Sequence, residues 1–182
     1  MTILRGPILQ GRYLAVPSGQ VDLRPPKIII GLSLTLPSER YSLPSEAVTL
    51  PTLLDTGFNR ILEIDEWHLV HWAGLRKESL ATIAKDRISD GRKYDLCEAT
   101  LWLHRTPYEG PRMPRGRAPL MLDSATQVRV MATTGKPNPR LPLLGLDTLI
   151  QNDLQLRIDG AASRFRIYRS LKSIVSSFLA GK

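Results

Sequence analysis

The chain has 182 residues, 42% hydrophobic and 23% charged, with 25 Lys and Arg against 17 Asp and Glu for a net charge of +8. That length carries one domain with a real core but not two well-built ones, and the composition excludes a wholly disordered chain. The single Cys97 excludes an intramolecular disulfide, and no run approaches the ~18 uninterrupted apolar residues of a membrane helix.

In chain order, residues 1–26 scatter Gly, Pro and Arg without a sustained period and are expected to form an arm that leans on the domain or on a partner. They lack a basic start leading into a long apolar stretch, so no secretory signal is expected and a cytoplasmic protein is the reading. The domain proper is expected over residues 27–168. KIIIGLSLTL (27–36) is apolar and β-branched, a strand, and VTLPTLL after a turn starts a second strand ending at Asp55. RILEI predicts a third. DEWHLVHWAGL (65–75) has an acidic start, helical spacing and a closing Gly74, which predicts a short helix.

Asp90-Gly91 is a hairpin signal, and the outgoing arm alternates, with Cys97, Ala99, Leu101 and Leu103 on one face. RTPYEGPRMPRGRAP (105–119) reads as an exposed loop and ATQVRVMA as a strand. LPLLGLDTLIQNDLQLRID predicts a buried strand, a Gly, a short helix and a strand that pairs with SRFRIY across DGAA. Residues 169–182 carry Leu171, Ile174, Val175, Phe178 and Leu179 as one helical stripe flanked by Arg169, Lys172 and Lys182. This amphipathic helix is expected to dock on its domain or a dimer partner, with an anionic membrane surface as the alternative. Many short strands and few helices predict an all-β, β-rich fold.

One stretch asks for chemistry. In PTLLDTGFNRILEI an apolar strand delivers Asp55 into Thr56 and Gly57 before a second strand begins. Asp and Gly together usually mark a turn. About ninety residues on, however, Leu143-Leu144-Gly145 repeats the pattern of two apolar residues and a tight-turn Gly, without its Asp.

The pairing resembles the retropepsin-like, single-domain aspartic proteases, closest to the bacterial and archaeal group in which the motif continues Asp-Thr-Gly-Phe-Asn. The resemblance covers roughly residues 27–159 and implies an acid-protease barrel with a flap hairpin. It implies that Asp55, Thr56 and Gly57 are catalytic, that Leu143, Leu144 and Gly145 brace them, and that Phe58 and Asn59 lie along the substrate. The Asp90-Gly91 hairpin is the implied flap, although it lacks the Gly-rich tip of retroviral flaps. Phe58 stands where the retroviral enzymes have Ala or Ser, and a ring there is expected to narrow the cleft or fill a specificity pocket.

The implied reaction is endopeptidase cleavage by a water activated between two carboxylates, with neither metal nor organic cofactor. Two carboxylates about 3 Å apart cannot both ionise and share one proton. The chain has one Asp-Thr-Gly and no internal repeat, so the second Asp55 must come from a second copy in a homodimer. Asp147-Thr148 is followed by Leu149 rather than Gly, and Asp147 reads instead as a helix start.

Other readings explain less of the pattern. His68 and His71 are three residues apart, as a metal pair requires, but no spaced Cys, Asp or Glu cluster completes a site; with Trp67 and Trp72 they read as helix packing. His104 has no evident partner. The Arg-rich loop lacks interleaved aromatic platforms, which argues for a solvated loop and against a specific nucleic-acid surface. The main alternative to an enzyme is a scaffold of the same fold that holds peptide without turnover.

Overall fold

The computed structural model describes residues 1–10, 13–87, 91–112, 117–122, 126–132 and 140–169. It is all-β. The strands in order are β1 (Thr2–Pro7), β2 (Tyr13–Val16), β3 (Gly19–Asp22), β4 (Ile29–Thr35), β5 (Leu50–Asp55) and β6 (Leu62–Asp65). After helix α1 (Glu66–His71) come β7 (Thr82–Arg87), β8 (Lys93–Leu103), β9 (Leu120–Met121), β10 (Thr126–Met131) and β11 (Leu143–Gly145). Helix α2 (Leu146–Gln151) then leads to β12 (Leu154–Asp159) and β13 (Arg164–Arg169).

The main sheet runs β10-β6-β11-β5-β4-β8, and β10 also pairs with β8, so the path closes on itself as a barrel. Closure is possible because β8 is long. Its first half, from Tyr94 to Ala99, pairs with β10, and its second half, from Thr100 to Leu103, pairs with β4. A closed sheet leaves few unpaired backbone edges. Every residue of β4 is buried, which is why it reads as a continuous apolar run rather than an alternation. One core fills the barrel and extends beyond it, drawing on Ile30, Leu32, Leu62, Ile64, Leu101, Val128 and Leu144. Cys97, Ala99, Leu101 and Leu103 are all buried, as their alternation predicts. Pro51 is tolerated in β5 because it lies opposite Gly31 of β4, two residues before the pairing with β11 begins at Leu53.

The N-terminal segment corrects the sequence expectation. The described residues among 1–26 do not form a separate arm: β1 pairs with β13, β2 and β3 form a hairpin, and Ile3, Leu4, Leu14, Val16 and Leu23 are buried in the core. Their strands are short, and Gly or Pro falls within or beside each, so no local period announces them. Arg169, expected to open a C-terminal helix, instead ends β13; residues 170–182, which carry the predicted stripe, lie outside the described residues. The loop after β8 is less exposed than its composition suggests, with Tyr108 buried. Among the described residues no helix is long and apolar enough to cross a membrane.

Candidate active site

β5 ends at Asp55, and the chain turns at once. The Phe58 N–H donates to the Asp55 carbonyl at 3.2 Å, and the Gly57 N–H donates to Asp55 Oδ1 at 2.9 Å. The Asp side chain thus closes its own turn, as short carboxylates do, and its second oxygen has no partner among the described residues. Asp55 is half-buried, while Thr56, Gly57 and Asn59 are exposed. Thr56 makes no side-chain hydrogen bond among the described residues.

β11 holds this turn from behind. It lies between β5 and β6, parallel to the first and antiparallel to the second. The register sets Leu143 beside Leu53, Leu144 beside Leu54 and Gly145 beside Asp55. The two motifs that repeat ninety residues apart are therefore neighbours in the sheet. Three further bonds join the turn to the junction of β11 and α2. The Leu146 N–H donates to the Phe58 carbonyl at 2.8 Å, and the Gly145 N–H to the Ile61 carbonyl at 2.9 Å. Thr148 Oγ1, buried in α2, donates to that same Ile61 carbonyl at 2.8 Å.

Gly145 is required by space, not by backbone angle. A Cβ there would stand far inside contact distance of the Arg60 and Phe58 carbonyl oxygens, and 2.8 Å from Phe58 Cδ1. The loop after Asp55 presses on the bare α-carbon, and any side chain would push it away.

Phe58 is half-buried, against Gly145, with the Arg129 guanidinium 6.0 Å from its ring centre. Arg129 also lies over the Tyr94 ring at 4.3 Å and pairs with Glu63 at 3.3 Å. The proposed flap is the β7–β8 hairpin, antiparallel with Arg87 opposite Lys93. Gly91 adopts a left-handed backbone (φ +85°), which glycine reaches without steric cost; Asp90 lies outside the described residues. Asp147 falls in the first turn of α2, whose N-cap is Gly145, and Leu149 is part of the core.

The paired histidines do not converge. His68 is buried with its ring 4.0 Å from Trp72, whereas His71 is exposed, stacked on Trp67 at 4.5 Å with Nδ1 at 2.9 Å from the Trp67 carbonyl. His104 finds partners that the sequence did not reveal: Nε2 lies 2.8 Å from Ser33 Oγ and 3.4 Å from Thr49 Oγ1. Ser33 Oγ itself donates to the Val48 carbonyl at 2.8 Å, so its proton is committed and the buried pair is structural. Burial pushes the His104 pKa down to about 4.

Sequence reasoning missed Thr148 and Arg129. Thr148 stands three residues after Gly145, on the first turn of a helix, where a hydroxyl reaches back past the brace; that spacing was legible. Arg129 had no local signal.

No family model matches the chain, and no curated protein sequence matches it. Among solved structures it is similar to a protein of unknown function (DUF785) from Legionella pneumophila, 17% identical over 67% of this chain and 84% of that one, with a TM-score of 0.23. A likeness that weak carries no argument about fold or activity.

Proposed function

We propose that this chain is an aspartic endopeptidase of the retropepsin type, active as a homodimer with one Asp55 from each copy. The observation that supports it most is the in-register pairing of Leu53-Leu54-Asp55 with Leu143-Leu144-Gly145, with the Asp-Thr-Gly turn pressed onto Gly145. A turn that only reversed the chain would not need a second strand fitted this closely behind it. The exposed, unpartnered Thr56 beside a half-buried Asp55 suits a site completed by a second copy. So do Leu146 and Ile150, exposed apolar residues one helical turn apart on α2.

In the dimer one Asp55 is ionised and the other protonated. The ionised carboxylate takes a proton from water as its oxygen attacks the peptide carbonyl carbon. The protonated one donates to the carbonyl oxygen, giving a neutral tetrahedral diol. Collapse of the diol breaks the C–N bond as the nitrogen takes the proton held by the first Asp55 and a diol hydroxyl gives its proton to the second, which returns the dyad to its shared-proton state. Gly57 holds one Asp55 oxygen through its N–H and leaves the other for water or substrate.

The test is cleavage of an unfolded polypeptide from mildly acidic to neutral pH, with and without a pepstatin-type inhibitor, alongside measurement of dimer mass. Asp55→Asn and Asp55→Ala should abolish cleavage while leaving fold and dimer intact. Full cleavage by either variant refutes the proposal. Peptide binding without turnover by the unmodified protein replaces it with the scaffold reading.

A further inference from the structure

The sheet formed by β1, β13 and β12 carries a feature that proteolysis does not use. In register across its three strands lie Arg5, Arg166 and Arg157. On the opposite face of β13, Phe165 and Ile167 are buried in the core, so alternation turns Arg164 and Arg166 outward. Three guanidiniums directly opposite one another, on strands roughly 5 Å apart, repel. The loop after β8 adds two more cations to the same place. Arg5 and Arg166 together with Arg105 and Arg117 line a pocket of about 550 Å³, with Thr2 and Thr106 on its walls.

Two observations point to a ligand. Arg105 Nε and Thr106 Oγ1 are both buried and make no hydrogen bond among the described residues. A buried donor left unpaired costs about 1–3 kcal/mol, more for a charged one, so two in one pocket mark a place built to meet an acceptor. In addition, none of the four lining arginines is in an ion pair among the described residues. The carboxylate on this face, Asp159, lies opposite Arg164 at the far end of the sheet and accepts the Ala162 N–H at 3.0 Å.

We propose that this pocket binds a diphosphate group, free or carried by a nucleotide. Four guanidiniums match an oxyanion of about three negative charges better than a single phosphate monoester, and guanidinium forks fit phosphate oxygens two at a time. Thr106 Oγ1 and Arg105 Nε are closed to solvent, and a small turn of either side chain toward a phosphate oxygen would pair them. Among the described residues lining the pocket there is no exposed aromatic ring, so it reads charge and not a base stack. The site is independent of Asp55 and of the proposed peptidase activity.

The test is calorimetric titration of the full chain with sodium diphosphate and with ADP, at constant ionic strength. Saturable binding is expected, weakened about 10-fold or more by Arg166→Gln and by Arg105→Gln. Arg76→Gln, which removes an equal charge from an exposed position elsewhere, should leave it within about 2-fold. Arg166 is exposed, so its variant remains informative if Arg105→Gln fails to fold. Equal affinity for the two probes identifies the diphosphate as the whole ligand, and tighter ADP binding identifies the nucleotide; either supports the site. The proposal is overturned by no saturable binding of either probe, or by equal loss in Arg76→Gln. Binding of single-stranded oligonucleotide without binding of diphosphate or ADP also overturns it.

Discussion

Replacing Gly145 by Ala tests the architecture of the candidate site through one methyl group. The new Cβ overlaps two backbone carbonyl oxygens, of Arg60 and Phe58, and approaches the Phe58 ring to 2.8 Å. A flexible side chain would swing aside, but backbone cannot. The turn must retreat by roughly 1 Å to restore ordinary contact. Overpacking of this kind costs about 1–3 kcal/mol. The retreat also strains the Leu146 N–H bond to the Phe58 carbonyl, worth about 1 kcal/mol more. A total near 3 kcal/mol lowers Tm by roughly 6–12 °C for a chain of this size. Thermal unfolding followed by circular dichroism measures it. Gly160→Ala is the control, since a Cβ there meets nothing within 4 Å, and its Tm should stay within about 2 °C. If Gly145→Ala melts with the parent protein, the turn is not pressed on the brace and the structural support for a preorganised Asp55 is gone.

Asp55→Asn keeps an oxygen able to accept the Gly57 N–H, so its Tm should stay within about 2 °C while peptide cleavage disappears; a large loss of stability would make Asp55 structural. Thr148→Val deletes the hydroxyl bond to the Ile61 carbonyl and should cost about 1 kcal/mol in urea denaturation, whereas no change would exclude Thr148 as an anchor of the loop. Lys77 links Asp95 at 3.1 Å and Glu66 at 3.6 Å. Lys77→Met leaves both partly buried carboxylates unpaired, and about 1–2 kcal/mol should be lost, less at high salt. His104 stays neutral in the folded state down to about pH 4, while the unfolded chain takes up its proton near the ordinary value of 6.5. Its stabilising share is therefore complete above 6.5 and falls as the pH drops towards 4, by about 2 kcal/mol between pH 7.5 and 5. Urea midpoints at the two pH values measure this, and His104→Leu should flatten the slope; an unchanged slope refutes the assignment.

Much of the chain announces itself locally. The alternation of Cys97, Ala99, Leu101 and Leu103, the apolar run of β4 and the capped start of α1 each follow from side-chain period. Asp65 does accept the Trp67 N–H at 2.8 Å, as an N-cap should. The two motifs around Asp55 and Gly145 were equally visible, because both place a special residue directly after two apolar ones.

By itself, then, the sequence determined the β-rich class, most of the strands after residue 27 and the pair of motifs worth comparing. Only the tertiary structure decided that Ile3, Leu4, Leu14, Val16 and Leu23 belong to the core, that β10 closes the barrel against β8, and that Gly145 lies beside Asp55 under the carbonyls of Phe58 and Arg60. It alone also brought Arg5 beside Arg166 and Arg157. The physical reason is common to all four. Period and propensity act between residues a few positions apart, whereas register between distant strands is set by the sum of many weak contacts that exist only once the core has closed.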